Sequence, residues 1–263
     1  MKESQIMCRW AAFIGQPIFL EQVIADPSHS LLVQSRAAEE AKTAINADGF
    51  GVAWYAHHPE PGLYRDVLPA WSDPNLTTIA RQIRSGLFLA HVRATTGSAI
   101  SRNNCHPFAS SNWSFMHNGQ IGGFENFRRS ADMLIPDELY NQRKGATDSE
   151  VLFLRALHYG LDADPLGALA RAAADLSELS ITKGTSPHLR LSVAMSDGER
   201  LFAARASSDR IAPTVYYRRC EKSEGWMVVS EPLEEDQSGW IELPAGQAAV
   251  FTAEAVEFHD FNV

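Results

Sequence analysis

Cysteine is scarce in this chain, with Cys8, Cys105 and Cys220 the only three in 263 residues. An odd, sparse set is no disulfide framework, and no C-x-x-C pair offers structural zinc. Both absences favour a reducing, cytoplasmic setting. Residues 1–6 are polar and too short for a signal peptide, and no apolar run approaches the roughly 18 residues a membrane span needs. Basic residues are outnumbered, 23 against 32 acidic ones, for a net charge of −9. That balance argues against nucleic acid or an anionic membrane as the main partner, while leaving room for a local basic pocket. His57, His58 and His117 have no metal-ligand spacing, so no metal is expected. Linkers, repeats and low-complexity tracts are missing too, which points to one domain.

Apolar residues make up 45% of the chain and charged residues 21%, ordinary values for a globular protein able to bury a sizeable core. The pattern predicts an opening strand after Cys8 and a helix over Leu31 to Ala44. Glycine-rich Asn46-Ala47-Asp48-Gly49-Phe50-Gly51 breaks that helix, and a strand follows from Val52 to Ala56. Asp73-Pro74 is a helix start, and Leu76, Ile79, Ala80 and Ile83 form its apolar face, with Gly86 as the expected stop. Leu87 to Arg93 reads as a strand apolar on both faces, hence central and buried. Residues 94–112 read as a long loop of the kind that is often functional. Trp113 to Met116 is a strand running into His117-Asn118-Gly119, and Gly122 to Arg129 begins a helix. Thr147 and Glu150 have capping-box spacing, and Asp164-Pro165 starts another helix. From residue 188 the chain turns to strands: a hairpin over Leu189 to Met195 and Leu201 to Ala206, then Pro213 to Arg219, Gly225 to Ser230 and Gln247 to Thr252. Strands, helices, then strands with local returns suggest antiparallel sheets covered by helices, an α+β class.

Several residues could carry chemistry, and each has a plainer reading. Cys8 follows Met7 at the head of the first strand. Were the chain to begin at Cys8, one residue would hold a thiol nucleophile beside an α-amine of pKa about 8. Alone, it reads as a small buried hydrophobe. Arg93 at a strand end could be a structural ion pair. Asp148 in the first turn of a helix is favoured by the helix dipole alone. Asn118-Gly119 could be a hairpin turn, and His106 an ordering residue of the long loop. Asp48, Gly49 and Gly51 shape the backbone. A Cys105–His106 dyad is disfavoured, because neighbours on an extended segment face opposite ways.

Taken in order, Met7-Cys8, Asn46-x-Asp48-Gly49-x-Gly51, His91-Val92-Arg93-Ala94-Thr95-Thr96-Gly97, Asn104-Cys105-His106-Pro107-Phe108, His117-Asn118-Gly119 and Thr147-Asp148-Ser149-Glu150 resemble the class II glutamine amidotransferases. These are N-terminal-nucleophile (Ntn) hydrolases. Ser230-Glu231-Pro232-Leu233 extends the likeness into the second half. The resemblance implies a four-layer αββα sandwich of two mostly antiparallel sheets. It implies one amidotransferase domain over residues 8–263, preceded by an extension or propeptide over 1–7, or by a misassigned start.

It also implies a mechanism. Cys8 would attack a side-chain amide, with its own α-amine as base and Asn118 and Gly119 as oxyanion hole. Arg93 would grip the substrate α-carboxylate and Asp148 its α-ammonium. Asp48, Gly49, Thr95 and His106 would support the site. The substrate would be glutamine or a γ-glutamyl compound, with no cofactor. A separate synthase consuming the ammonia, or another subunit, is a conceivable partner. The chain leaves no room for a fused synthase, and its Met-Cys-Arg start looks most like the stand-alone branch acting on γ-glutamyl compounds in ergothioneine synthesis and glutathione breakdown. The competing reading is a non-catalytic binding or regulatory subunit in which residues 1–7 keep the amine of Cys8 blocked.

Overall fold

The computed structural model describes residues 8–36, 46–94 and 99–263. The chain runs β1 (Arg9–Phe19), α1 (Glu21–Ile24), α2 (Leu31–Arg36), β2 (Phe50–Tyr55), β3 (Gly62–Asp66), α3 (Pro74–Gln82) and β4 (Arg84–Val92). Next come β5 (Phe108–Ser110), β6 (Trp113–Ile121), α4 (Phe124–Asp132), α5 (Asp137–Tyr140), α6 (Asp148–His158) and α7 (Pro165–Thr182). The last stretch holds β7 (Leu189–Ser196), β8 (Leu201–Ser207), β9 (Tyr216–Cys220), β10 (Gly225–Val229), β11 (Ile241–Glu242), β12 (Gln247–Phe251) and β13 (Val256–Asp260).

The strands form two antiparallel sheets, ordered β11-β9-β10-β1-β4-β2-β3 and β13-β12-β8-β7-β6-β5. Period-two alternation sorts each central strand into two apolar faces. From β1, Trp10, Ala12 and Ile14 meet Met116, Ala194 and Ala203 of the opposite sheet. Ala11 and Phe13 pack instead with Val23, Leu31 and Leu76 of the first three helices. On the outer face of the second sheet, Phe115, Leu191 and Val193 pack against Phe127, Phe153 and Leu169 of α4, α6 and α7. Three apolar layers between four tiers of structure give the αββα sandwich.

Local signals account for the helix starts. Asp73 accepts hydrogen bonds from the Asn75 and Leu76 N–H groups, and Asp164 from that of Gly167, each with proline at the first helical position. The Thr147 side chain accepts from Glu150 N–H, but the return arm of the capping box is missing. Glu150 reaches back further instead, to Arg143 and to the N–H groups of Lys144 and Gly145. Gly86 does not end α3: Ile83 is already extended, and β4 begins at Arg84. The expected helix from Leu31 is seen to Arg36, and its continuation to Ala44 lies outside the described residues. Residues 94–112 hold more structure than expected, a 3-10 turn at Arg102–Asn104 and the edge strand β5.

Candidate active site

Strand register assembles the site. Arg9 pairs with Val92 across β1 and β4, so Cys8, one residue before, lies beside Arg93, one residue after. Phe50 of β2 also pairs with Val92, which brings Asp48 and Gly49 to Arg93 from the other side. Arg93 N–H donates to the Gly49 carbonyl at 2.8 Å and Asp48 N–H to the Arg93 carbonyl at 3.2 Å. The buried Arg93 guanidinium faces the carbonyls of Asp48 and Ala99 at 3.3 and 3.5 Å. At φ +114°, Gly49 sits where a side chain would be strained, and a Cβ there would lie 2.5 Å from Cys105 Sγ.

The facing sheet supplies Asn118 and Gly119. Both lie inside β6, not in a turn. Asn118 Nδ2 crosses between the sheets and donates to the Cys8 carbonyl at 2.7 Å; the amide carries a second hydrogen as well. Gly119 has φ +142°, and a Cβ on it would stand 2.0 Å from the Arg190 carbonyl oxygen. Glycine is required there by the neighbouring strand, a stronger constraint than crowding at a reaction centre.

The end of β6 brings in the acid. Ile121 N–H donates to Asp148 Oδ2 at 2.8 Å and Ser149 N–H to Oδ1 at 2.7 Å, which aims the carboxylate from the N-terminus of α6. Asp148 and Gly119 line one cavity of about 560 Å³, with Ala99, Phe124, Glu125 and Arg128 among its walls. A depression of about 710 Å³ opens at the opposite end of the sandwich, beside Tyr55, Leu87 and Trp113, away from all of these groups.

Electrostatics around the thiol pull in two directions. Burial pushes the Cys8 thiol above its ordinary value, while the Ala94 backbone and the charges of Arg93 and Arg9 oppose that shift. Ala94 N–H donates to the sulfur at 3.4 Å. His106 is buried, its ring packed at a tilt between His91 at 4.5 Å and Phe108 at 4.6 Å. Burial drives His91 down to about 3 and His106 in the same direction, so both are neutral at physiological pH. Cys105 Sγ turns to the carbonyls of Asp66 and Ser101, at 3.4 and 3.5 Å. Thr95 and residues 1–7 lie outside the described residues. Among the described residues no cluster of histidine, cysteine and carboxylate could hold a metal ion.

Two groups escaped the sequence reading. His117 Nε2 faces the Arg190 carbonyl at 3.4 Å, so it carries the ring hydrogen and Nδ1 accepts from the Ser149 hydroxyl at 2.9 Å. This ties β6 to the first turn of α6 beside Asp148. The other group is Arg9 with Glu231, joined at 2.5 Å. Their residues fall inside motifs read from the sequence, but the contacts leave no local signal, because the partners are distant in sequence.

Known proteins share this fold. The glutamine phosphoribosylpyrophosphate amidotransferase of Bacillus subtilis superposes at TM-score 0.61 over 97% of this chain and 49% of its own, at 14% identity, a likeness of fold. A glutamine aminotransferase class-II domain protein from Silicibacter pomeroyi is 54% identical at TM-score 0.79, covering 97% of this chain and 99% of that one. The family model for class-II glutamine amidotransferases matches residues 20–218. The chain is 32% identical to the probable glutamine amidotransferase DUG3 of Saccharomyces cerevisiae, over 96% of its length and 84% of that protein's. It is 31% identical to the γ-glutamyl-hercynylcysteine sulfoxide hydrolase of Mycolicibacterium smegmatis, over 90% and 92%. The chain belongs to the class II glutamine amidotransferases, and is an enzyme of amide hydrolysis.

Proposed function

We propose that this enzyme hydrolyses the side-chain amide of glutamine or of a γ-glutamyl amide or peptide through a thioester on Cys8. The observation that carries the reading is the convergence on Cys8: Arg93 beside it in strand register, and Asn118 bonded to its carbonyl from the other sheet. Cys8 Sγ attacks the amide carbon, and its thiol proton passes through the α-amine to the departing amine or ammonia. The C–N bond breaks as a γ-glutamyl thioester forms; water then cleaves the C–S bond and frees glutamate. The second hydrogen of Asn118 Nδ2 and the Gly119 N–H stabilise the oxyanion, each such donor being worth about 3–4 kcal/mol. Arg93 takes the α-carboxylate and Asp148 the α-ammonium, two opposite charges matched to a zwitterionic head group. Asp48, Gly49, Thr95 and His106 support this frame. The γ-glutamyl hydrolases among the relatives favour a γ-glutamyl substrate over a role that only feeds ammonia to a synthase.

The amine can act only if Cys8 is the first residue, so the working enzyme spans residues 8–263 without the preceding seven. Intact mass of protein from its native host, with glutamate release from a panel of γ-glutamyl amides, tests this. The expected species begins at Cys8 and is active. Full activity with residues 1–7 attached would remove the proposed base, and a retained extension with no activity would return the blocked, non-catalytic reading.

A further inference from the structure

Behind Cys8 stands a chain of contacts that no step above uses. Arg9 Nε donates to Glu231 Oε2 at 2.5 Å, and its Nη1 reaches the Cys8 carbonyl oxygen at 3.3 Å. On the other side of the carboxylate, His29 Nε2 lies 2.8 Å from Glu231 Oε1 and carries its hydrogen there. His29 is itself anchored: its N–H donates to the Leu233 carbonyl at 2.9 Å, and its own carbonyl accepts from Gln34 Nε2 at 2.8 Å. Gln34 Nε2 also faces the Pro232 carbonyl at 3.3 Å. Ser230 completes the seam, accepting from Trp10 N–H through its hydroxyl at 2.9 Å and donating its own N–H to the Trp10 carbonyl at 2.9 Å. Ser230 and Glu231 are therefore stitched to the two residues that follow Cys8, and Pro232 and Leu233 to Gln34 and His29.

The Cys8 carbonyl thus has two donors, Asn118 Nδ2 from the facing sheet and Arg9 Nη1 from its own strand. Fixing that carbonyl fixes the peptide plane, and with it the directions of the sulfur and the α-nitrogen. Arginine suits the task because one planar fork serves the carboxylate through Nε and the carbonyl through Nη1. The side chains of Arg9, His29 and Glu231 are 12%, 21% and 27% exposed, so solvent screens this network less than it would a surface ion pair. Burial raises the Glu231 carboxyl, yet the Arg9 charge and the hydrogen bonds from His29 and Arg9 outweigh it and hold the group low.

We propose that Arg9, braced by Glu231 and His29, is a positioning residue that fixes the Cys8 main chain and keeps a permanent cation beside its sulfur. The role rests on the reading of Cys8 as nucleophile. Among the described residues, the groups facing Cys8 are Arg9 on its own strand, Arg93 from the end of β4, the neutral Asn118 of β6, and the Cys105 thiol within electrostatic reach. Glu231 and His29 stand behind Arg9. Two cations favour the thiolate and disfavour an ammonium at the neighbouring nitrogen.

The test compares Arg9→Gln, Arg9→Lys, Glu231→Gln and Cys8→Ala with the unaltered protein. Two quantities are read: kcat and KM with glutamine, and the pH midpoint of Cys8 alkylation by iodoacetamide, followed by mass on the Cys8 peptide. Arg9→Gln is expected to lower kcat about 10- to 100-fold with KM within about twofold, because Arg9 does not touch substrate. It is also expected to raise the alkylation midpoint by about half to one pH unit. Arg9→Lys keeps the charge and so the midpoint, but loses the fork and much of kcat; Glu231→Gln gives an intermediate loss. Should Arg9→Gln fail to fold, the Arg9→Lys and Glu231→Gln pattern decides. A kcat and midpoint unchanged in every folded variant, with only the melting temperature lowered, would overturn the proposal while a dead Cys8→Ala left the nucleophile in place. Turnover surviving in Cys8→Ala would overturn both.

Discussion

The two ends of β4 are built differently. At the far end, next to Leu87, the buried Tyr55 hydroxyl reaches the carbonyls of Asn112 and Ser196 at 2.8 and 3.1 Å and Ser114 Oγ at 2.9 Å. Burial pushes that phenol up to about 12, so it stays a neutral donor. At the near end, the buried His91, His106 and Asn46 side chains have polar atoms with no hydrogen-bond partner among the described residues. An unpaired buried polar group costs about 1–3 kcal/mol. The fold bears that cost at three side chains beside Cys8 and Arg93; towards the other end of the strand the Tyr55 hydroxyl is satisfied, and among the described residues the Trp226 indole N–H, opposite Ile14, is left without a hydrogen-bond partner. The near end holds the proposed nucleophile and the far end a hydrogen-bonded hydroxyl.

Substitutions at the two ends should therefore separate activity from stability. The largest effect is expected at the near end: Cys8→Ala should cut glutamate release by about 10⁴-fold or more while the melting temperature moves little. Cys105→Ala, whose thiol turns to the Asp66 and Ser101 carbonyls, should keep turnover. Next comes Arg93→Lys, which keeps the charge but not the planar fork; kcat/KM for glutamine should fall about tenfold or more. An unchanged value would exclude Arg93 as the carboxylate clamp. At the far end the pattern reverses: Tyr55→Phe should cost about 1–3 kcal/mol in denaturant titration and leave kcat unaltered.

Stability is also expected to depend on pH through the near end. The neutral His91 is held at about 3 in the fold against an ordinary 6.5, so the unfolded chain takes the proton first. Its contribution is complete above pH 6.5 and is lost as pH falls from there towards 3, by up to about 1.4 kcal/mol per pH unit. Urea midpoints measured down that window should drop steadily, and His91→Phe should flatten the slope.

How far sequence reaches into this molecule depends on distance along the chain. Asp73-Pro74, Asp164-Pro165 and Thr147 announce helices because a cap acts within three residues. Alternation in Leu87 to Val92 foretells a central strand, since burial on both faces is written into the side chains themselves. The edge strands β3, β5 and β13 leave weaker patterns, being only partly buried and paired on one side. Asn118-Gly119 reads locally as a turn; it stays in the strand because β7 pairs with it through Leu191 and Ser192. The candidate site residues emerge from motif order and then converge through register. The brace itself does not emerge: Arg9 and Glu231 each sit in a quoted motif, but they stand 222 residues apart and nothing local pairs them. Ser149 and His117, 32 apart, meet only once α6 docks on β6.

The central claim is that Cys8, as the first residue, forms a thioester with the substrate. Rapid acid quenching of the enzyme during glutamine turnover, followed by peptide mass spectrometry, tests it directly. The account predicts a γ-glutamyl group on a peptide that begins at Cys8. The same adduct on Cys105, or an active chain still carrying residues 1–7, would contradict it.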